Sequence, residues 1–115
     1  MKAKIYHNPR CSKSRTTLAL LEEHGLDVEV VEYLKTPPDE AEIRHLLDLL
    51  GLAPAALLRR GEAAFVASGL GADADPDALI DLMAREPILI ERPIVVVGQA
   101  ARIGRPPERV LELIA

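Results

Sequence analysis

Residues 4–15 decide the fold of this chain, and they read KIYHNPRCSKSR. The stretch joins a strand-like run ending at His7 to a helical run beginning at Ser12, and Cys11, the only cysteine, lies at the junction. At the start of a helix, backbone N–H groups without helical partners and the helix dipole favour a thiolate over a thiol. The sequence therefore predicts a reactive sulfur at Cys11.

The surroundings of Cys11 predict how such a sulfur would be used. Ser14 stands where a C-x-x-C redox motif carries its second cysteine, so Cys11 has no partner within the chain for a disulfide. Its redox partner must come from outside. A lone cysteine is commonly a buried, inert apolar residue, but three basic neighbours favour the reactive interpretation: Arg10, Lys13 and Arg15.

Length and composition narrow the class of protein. With 115 residues the chain is expected to form one domain, residues 1–115, around a single core. A net charge of −4 and a pI near 5.3 argue against a nucleic-acid partner. Without a long apolar run, neither a membrane partner nor secretion is expected, and one cysteine fits a reducing compartment. The expected location is cytoplasmic.

Hydrophobic periodicity predicts an alternating order of strands and helices. Gly25 and Gly51 are expected to end the first two long helices. Val110, Leu111 and Ile114 are expected to point inward from a closing helix. The predicted order is a strand at 4–7, a helix at 12–24, a strand at 28–33, a helix at 39–50, short helices within 54–85, a strand at 94–97 buried on both faces, a partner strand at 101–103 and a helix at 106–114.

This order predicts an α/β fold class. A β-α-β segment, a helical block and a β-β-α segment follow one another, which is the thioredoxin-like order with helices inserted in the middle. We therefore expect a thioredoxin-like mixed sheet packed between helical layers, with the inserted helical block between the second and third strands.

The motifs around the cysteine resemble a known family. Residues 7–15, HNPRCSKSR, are similar to the N-terminal signature of the glutaredoxin-coupled arsenate reductase (ArsC-type) family. The similarity continues, in one register, through Tyr33-Leu34, Pro37-Pro38, Leu57-Leu58-Arg59, residues 87–95 (PILIERPIV) and Arg105-Pro106. The best-characterised reductases of the family carry Gly-Thr after the cysteine where this chain has Ser12-Lys13, and residues 102–107 (RIGRPP) resemble a less studied branch.

The resemblance implies a fold, an activity and a set of site residues. It implies a thioredoxin-like fold and a cis peptide bond at Pro93, which would face the Cys11 loop. Cys11 would attack arsenate held by three arginines: Arg59, Arg92 and Arg105. Glutathione would be the reducing co-substrate, glutaredoxin the partner that regenerates the thiol, and no cofactor would be bound. A single cysteine agrees with such an external route.

Several of these residues have plainer interpretations. Arg60 and Arg102 are arginines that we expect to lie outside the site. Arg59 would be an ordinary charged residue were it not for the resemblance, and so would Arg92 and Arg105. His7 either tunes the thiolate or ends the strand, and Ser14 either donates a hydrogen bond to sulfur or is a first-turn helix residue. With one cysteine and three histidines scattered along the chain, no metal site is expected.

Two other functions compete with arsenate reduction. An Spx-like regulator would share the fold and bind RNA polymerase, but such regulators carry the C-x-x-C switch that residues 11–14 lack. A thiol oxidoreductase would keep the reactive Cys11 and act on another substrate, such as a glutathione mixed disulfide or a different oxyanion.

Overall fold

The computed structural model describes residues 1–114, which form two compact units. The sheet unit comprises residues 1–36 and the segment from Arg92 onward, and the helical unit comprises residues 37–91. The elements of the sheet unit are β1 (Lys2–His7), α1 (Ser12–Glu23), β2 (Asp27–Glu32), β3 (Ile94–Val97), β4 (Ala100–Ile103) and a 3₁₀ helix (Pro107–Leu113). Those of the helical unit are α2 (Glu40–Leu50), α3 (Pro54–Leu57), α4 (Ala63–Ser68), α5 (Pro76–Arg85) and a 3₁₀ helix (Pro87–Leu89).

The four strands form one mixed sheet in the order β2-β1-β3-β4. β1 runs parallel to β2, with His7 opposite Glu32, and antiparallel to β3, with Tyr6 opposite Ile94. β3 and β4 form an antiparallel pair. The predicted thioredoxin-like α/β class is confirmed, and the first strand, which leads to Cys11, is central in the sheet.

The core of the sheet unit lies where α1 and the C-terminal 3₁₀ helix pack on the strands. Its buried members come from four elements, and aliphatic side chains supply nearly all of the apolar surface: Ala3, Ile5, Leu21, Val95 and Val110. Burial of a large aliphatic side chain stabilises a fold by about 1.5–3 kcal/mol. This packing holds β1 and α1 firmly on both sides of the Cys11 loop.

The predicted closing helix at residues 106–114 is present, and its turns are of the 3₁₀ type. Residues 107–113 form a 3₁₀ helix, in which three residues make a turn, so Val110 and Leu113 share one face. Val110 is buried, whereas Leu111, Leu113 and Ile114 are partly buried, and of these three Leu113 packs against the core. Of the residues expected to point inward, Val110 is therefore confirmed.

Other boundaries differ slightly from expectation. β2 begins at Asp27 and ends at Glu32, one residue earlier than predicted. In β3, Ile94 and Val95 are buried, but Val96 and Val97 are partly exposed because the strand leads into an exposed turn at residues 98–99. The expectation that all of β3 is buried on both faces therefore holds for its first half.

Helix α2 begins one residue later than predicted, at Glu40, and ends at Leu50 as predicted. Asp39 caps α2, its Oδ1 accepting a hydrogen bond of 2.8 Å from the backbone N–H of Glu42. Gly51 ends the helix in the left-handed conformation, at a φ of 69°, which glycine adopts without steric cost.

No helix within residues 1–114 is long and apolar enough to cross a membrane. The single-domain expectation for residues 1–115 stays a prediction.

Candidate active site

Cys11 occupies the N-cap position of α1, as the sequence predicts. Its backbone is extended, and its N–H donates a hydrogen bond of 3.0 Å to the carbonyl of Asn8, closing a tight turn after β1. The Cys11 thiol is free and partly exposed. The sulfur is therefore open to solvent at a point where the first N–H groups of a 12-residue helix are directed.

Two arginines from distant parts of the sheet unit meet at this sulfur. The Nη2 of Arg105 lies 3.6 Å from Cys11 Sγ, and the side chain of Arg92 also hydrogen-bonds to the sulfur. Arg105 Nε donates to the carbonyl of Arg92 at 2.7 Å, which ties the segment before β3 to the segment after β4. Arg92 is 9% exposed, so its charge is applied from within the protein.

These contacts lower the pKa of the Cys11 thiol. Partial burial opposes ionisation, but it is outweighed by the backbone N–H of Ser14, the side chain of Arg92, the backbone N–H of Lys13 and the charge of Arg105. The basic side chains next to Cys11 in sequence, by contrast, are exposed: Arg10, Lys13 and Arg15. The sequence anticipated the direction of the pKa shift, and the charges that produce it belong to Arg92 and Arg105, which the family resemblance named, and not to the sequence neighbours of Cys11.

His7 and Ser14 are joined to each other beneath the Cys11 loop. Their Nδ1 and Oγ atoms share a hydrogen bond of 2.6 Å, and Ser14 Oγ accepts a second one, of 3.1 Å, from the backbone N–H of Asn8. His7 and Ser14 are buried. Burial lowers the pKa of the His7 imidazole; Glu32 opposes the shift and Arg15 adds to it. The Ser14 hydroxyl therefore binds the loop, while the amide of Ser14 acts on the sulfur.

Pro93 follows a cis peptide bond, as predicted. A second cis bond lies between Arg105 and Pro106, so both arginines that reach the sulfur precede a cis proline. Gly104 packs closely against Pro93 and Thr17, and its N–H donates a hydrogen bond of 2.9 Å to the Pro93 carbonyl. A Cβ at position 104 would lie 2.6 Å from Thr17 Oγ1 and 2.9 Å from Pro93 Cγ. The expectation that Pro93 faces the Cys11 loop stays a prediction.

Arg59, the third predicted arginine, belongs to the helical unit. Its Nε and Nη1 donate to the carboxylates of Glu62 at 3.2 Å and Glu91 at 2.7 Å. Burial opposes the charge, but the two carboxylates, Glu91 above all, raise the pKa of Arg59 above its ordinary value. Its neighbour Arg60 is exposed, and Arg102 is paired with Glu112 at 2.9 Å.

Two residues of the site escaped the sequence interpretation. Asn8 organises the loop, since its Oδ1 accepts from the N–H of Arg10 at 3.0 Å and its carbonyl accepts from Cys11. An Asn-Pro pair before the cysteine is a turn signal that could have found it. Gly104 offered no such signal, because only the packed structure shows what a side chain there would meet. Within residues 1–114, no group of three or more His, Cys, Asp or Glu side chains is placed to hold a metal ion.

The fold and the site define a thioredoxin-like protein with one thiol at the start of its first helix and two arginines on the sulfur. The sequence model of the ArsC family matches residues 6–113. This chain belongs to the ArsC family.

Comparison with individual proteins places the chain among its relatives. It is 53% identical to the uncharacterized protein YfgD of Escherichia coli over 96% of this chain and 95% of that one. It is 48% identical to an arsenate reductase of Neisseria meningitidis, over 93% of each chain. Among solved structures, an arsenate reductase from Vibrio cholerae superimposes with a TM-score of 0.95 at 49% identity, covering 98% of both chains.

Proposed function

We propose that this protein is an arsenate reductase that uses glutathione and glutaredoxin. One observation carries the proposal: the Cys11 sulfur is in contact with Arg105 and Arg92 and has a lowered pKa. Arsenate is a tetrahedral anion, which needs fixed donors, and planar guanidinium groups suit it better than the point charge of lysine. Relatives that bear the name arsenate reductase cover nearly the whole chain.

Cys11 is the nucleophile in this proposal. Its thiolate attacks the arsenic of bound arsenate, an S–As bond forms, and one arsenate oxygen takes up a proton and leaves as water. Arg92 and Arg105 neutralise the charge that develops on the remaining oxygens, since they already lie at the sulfur. The same two charges stabilise the thiolate beforehand.

Glutathione then supplies the first electrons. Its thiolate attacks Cys11 Sγ, the S–As bond breaks, and the bonding pair stays on arsenic, which leaves as arsenite. Cys11 is now joined to glutathione in a mixed disulfide, which glutaredoxin resolves by taking the glutathione onto its own thiol. Arsenic gains two electrons and two thiols are joined, so the cycle balances. A chain with one cysteine needs this external thiol supply.

The remaining site residues have supporting roles in the proposal. His7 and Ser14 hold the loop through their 2.6 Å hydrogen bond, so that the first N–H groups of α1 stay directed at the sulfur. Arg59 is proposed, from the family resemblance, as the third arginine of the substrate site. A cytoplasmic location is proposed because glutathione and glutaredoxin act in reducing compartments.

A coupled assay tests the function. Arsenate, glutathione, glutaredoxin, glutathione reductase and NADPH are combined, and NADPH oxidation is followed. The wild-type protein is expected to consume NADPH only when arsenate is present, and Cys11→Ser is expected to abolish the activity because a hydroxyl without a general base is a poor nucleophile. Absence of turnover with any thiol donor would refute the proposal, and specific capture of RNA polymerase would then favour the regulator interpretation.

The role of Arg59 needs a separate measurement. If Arg59 binds substrate, Arg59→Lys raises the KM for arsenate while the pKa of Cys11 stays unchanged. Arg60→Lys, an exposed neighbour, is the matched control. An unchanged KM for arsenate together with a lower free energy of unfolding would show that Arg59 does not bind substrate and that its role is the structural pairing with Glu62 and Glu91.

A further inference from the structure

A pocket lies beside the Cys11 loop on the β2 side of the sheet unit. We call it the β2-side pocket; it has a volume of about 210 Å³ and is lined by residues 7–10, Glu32, Leu34 and Lys35. Pro9 and Leu34 give it apolar walls, while Arg10, Glu32 and Lys35 give it charges of both signs. Neither of the two arginines that reach the Cys11 sulfur, Arg92 and Arg105, lines this pocket.

The sheet order separates this pocket from the arginines. Cys11 follows β1, whose last residue, His7, lies opposite Glu32 of β2. On the other side of β1, Tyr6 lies opposite Ile94 of β3, two residues after Arg92. Arg105 comes from the end of β4, beyond β3. The two arginines at the sulfur therefore come from the β3 and β4 side of β1, whereas the lining of the pocket comes from the loop after β1 and from the β2 side.

This arrangement has a chemical consequence for the thiol step. Displacement at a divalent sulfur is in line, so the entering thiolate approaches opposite the bond that breaks. In the proposed function the arsenic is held by Arg92 and Arg105, and its bond to Cys11 Sγ points towards β3. The reducing thiol must then reach the sulfur from the β2 side, where the pocket lies.

We propose that the β2-side pocket binds glutathione, the thiol that attacks Cys11. This inference rests on the proposed function for the identity of the thiol. Glutathione carries two carboxylates and one ammonium group, which complement the cations of Arg10 and Lys35 and the carboxylate of Glu32. The pocket is smaller than the roughly 300–1,000 Å³ typical of ligand sites, so it accommodates one end of the tripeptide and leaves the thiol outside, next to Cys11.

The charged groups of the pocket are available to a ligand. Lys35 Nζ lies 3.4 Å from Glu32 Oε1, and the two side chains are 77% and 41% exposed. An exposed pair of this kind is worth at most about 1 kcal/mol, so it can exchange partners with little loss. A larger cavity of about 430 Å³ lies in the helical unit, but its charged groups include the ion pair of Arg85 and Asp81, at 2.9 Å.

The test uses a reaction that needs no arsenate. Oxidised glutathione converts the Cys11 thiolate to the mixed disulfide and releases one glutathione thiolate, so the same sulfur and the same tripeptide meet. The rate is compared with that of hydroxyethyl disulfide, which lacks charges. Mass spectrometry follows both reactions on the intact protein.

Lys35→Glu is the test variant and Lys2→Glu its control, because Lys2 is an exposed lysine at the opposite end of β1. Lys35→Glu is expected to slow the reaction with oxidised glutathione about three- to tenfold and to leave the hydroxyethyl disulfide rate unchanged. Lys2→Glu is expected to change neither rate beyond about 1.5-fold. Arg10→Gln, a second exposed pocket residue, is expected to act in the same selective direction as Lys35→Glu.

Two outcomes would overturn the proposal. Equal slowing of both disulfides by Lys35→Glu would show a change in the thiolate itself, and equal slowing by Lys2→Glu would show a general effect of net charge. The assay also separates this inference from the proposed function. If Lys35→Glu slows only the reaction with oxidised glutathione but the wild-type protein fails to reduce arsenate, glutathione binding in the pocket is supported and the proposed function is refuted. If the wild-type protein reduces arsenate but Lys35→Glu slows both disulfides equally, only the pocket proposal is refuted.

Discussion

Arg105 is bound to Arg92 by a hydrogen bond of 2.7 Å from its Nε to the Arg92 carbonyl, while its Nη2 reaches Cys11 Sγ at 3.6 Å. One guanidinium thus spans the segment before β3 and the thiol after β1. Because the planar fork has both ends engaged, its direction at the sulfur is fixed before any anion arrives. Such preorganised charge is the form of electrostatic stabilisation that lowers barriers most effectively.

Cys11 is expected to form a thiolate at a lower pH than an ordinary cysteine. The N–H groups of α1, Arg92 and Arg105 outweigh its partial burial, so they hold the pKa of the Cys11 thiol below its ordinary value. Alkylation rates with iodoacetamide, measured from pH 5 to pH 10, should give the midpoint. Free glutathione treated in parallel is the control, and coinciding midpoints would contradict the prediction.

Arg105 has two roles in the proposed function, positioning the arsenate and stabilising the Cys11 thiolate, and Arg105→Lys is expected to impair the first more than the second. Lysine keeps the positive charge but cannot bind the Arg92 carbonyl and the sulfur together, so anion positioning suffers more than thiolate formation. We expect kcat/KM for arsenate to fall at least about tenfold, while the pKa of Cys11 stays below its ordinary value. Arg102→Lys, whose side chain pairs with Glu112, is the matched control and should retain activity.

Ser14→Ala is expected to lower the free energy of unfolding and to leave the reactivity of the Cys11 thiol largely unchanged. The substitution leaves His7 Nδ1 and the Asn8 N–H without their buried partner, which costs about 1–3 kcal/mol in free energy of unfolding. The Ser14 amide that acts on the sulfur is retained. Urea denaturation and the alkylation profile measure the two effects, with Ser12→Ala, an exposed position, as control. A large rise in the Cys11 pKa with unchanged stability would contradict this.

Gly104→Ala is expected to disturb the site through packing. The new methyl group would lie 2.6 Å from Thr17 Oγ1 and 2.9 Å from Pro93 Cγ, so residues near Arg105 must shift. Overpacking of this kind costs about 1–3 kcal/mol. Gly61→Ala, with no heavy atom within 4 Å of the added carbon, should leave the unfolding free energy within about 0.5 kcal/mol of the wild type. Equal unfolding free energies for the two variants would show that the residues around position 104 rearrange at little energetic cost.

Protonation of His7 should contribute to the pH dependence of the free energy of unfolding. Burial lowers its pKa in the folded protein, so the unfolded chain binds the proton more readily. The contribution of neutral His7 is therefore complete above the unfolded pKa of about 6.5 and is lost as the pH falls through that value towards the lower folded pKa. Unfolding free energies from pH 8 to pH 5 should decline more steeply for the wild type than for His7→Asn. His24→Asn, an exposed control, should follow the wild type.

Local sequence patterns were enough to predict the strand and the helix on either side of Cys11 and the points at which helices end. Strand and helix periodicities met at Cys11, and the predicted helix ends at Gly25 and Gly51 are the observed ones, both glycines having positive φ. These features depend on a few neighbouring residues, whose backbone preferences and hydrogen bonds act over one or two turns. The family motifs added the cis bond at Pro93, which local pattern alone does not predict.

Tertiary structure decided which groups act on the sulfur. The charges come not from sequence neighbours such as Arg10 and Arg15 but from Arg92 and Arg105, which the family resemblance named and which strand pairing brings to Cys11 from more than 80 residues away. The C-terminal segment packs on the core of the sheet unit as a 3₁₀ helix at residues 107–113, in which Val110 and Leu113 contact that core. Long-range contacts of this kind depend on the whole sheet and its core, and no sequence window contains the residues that set them.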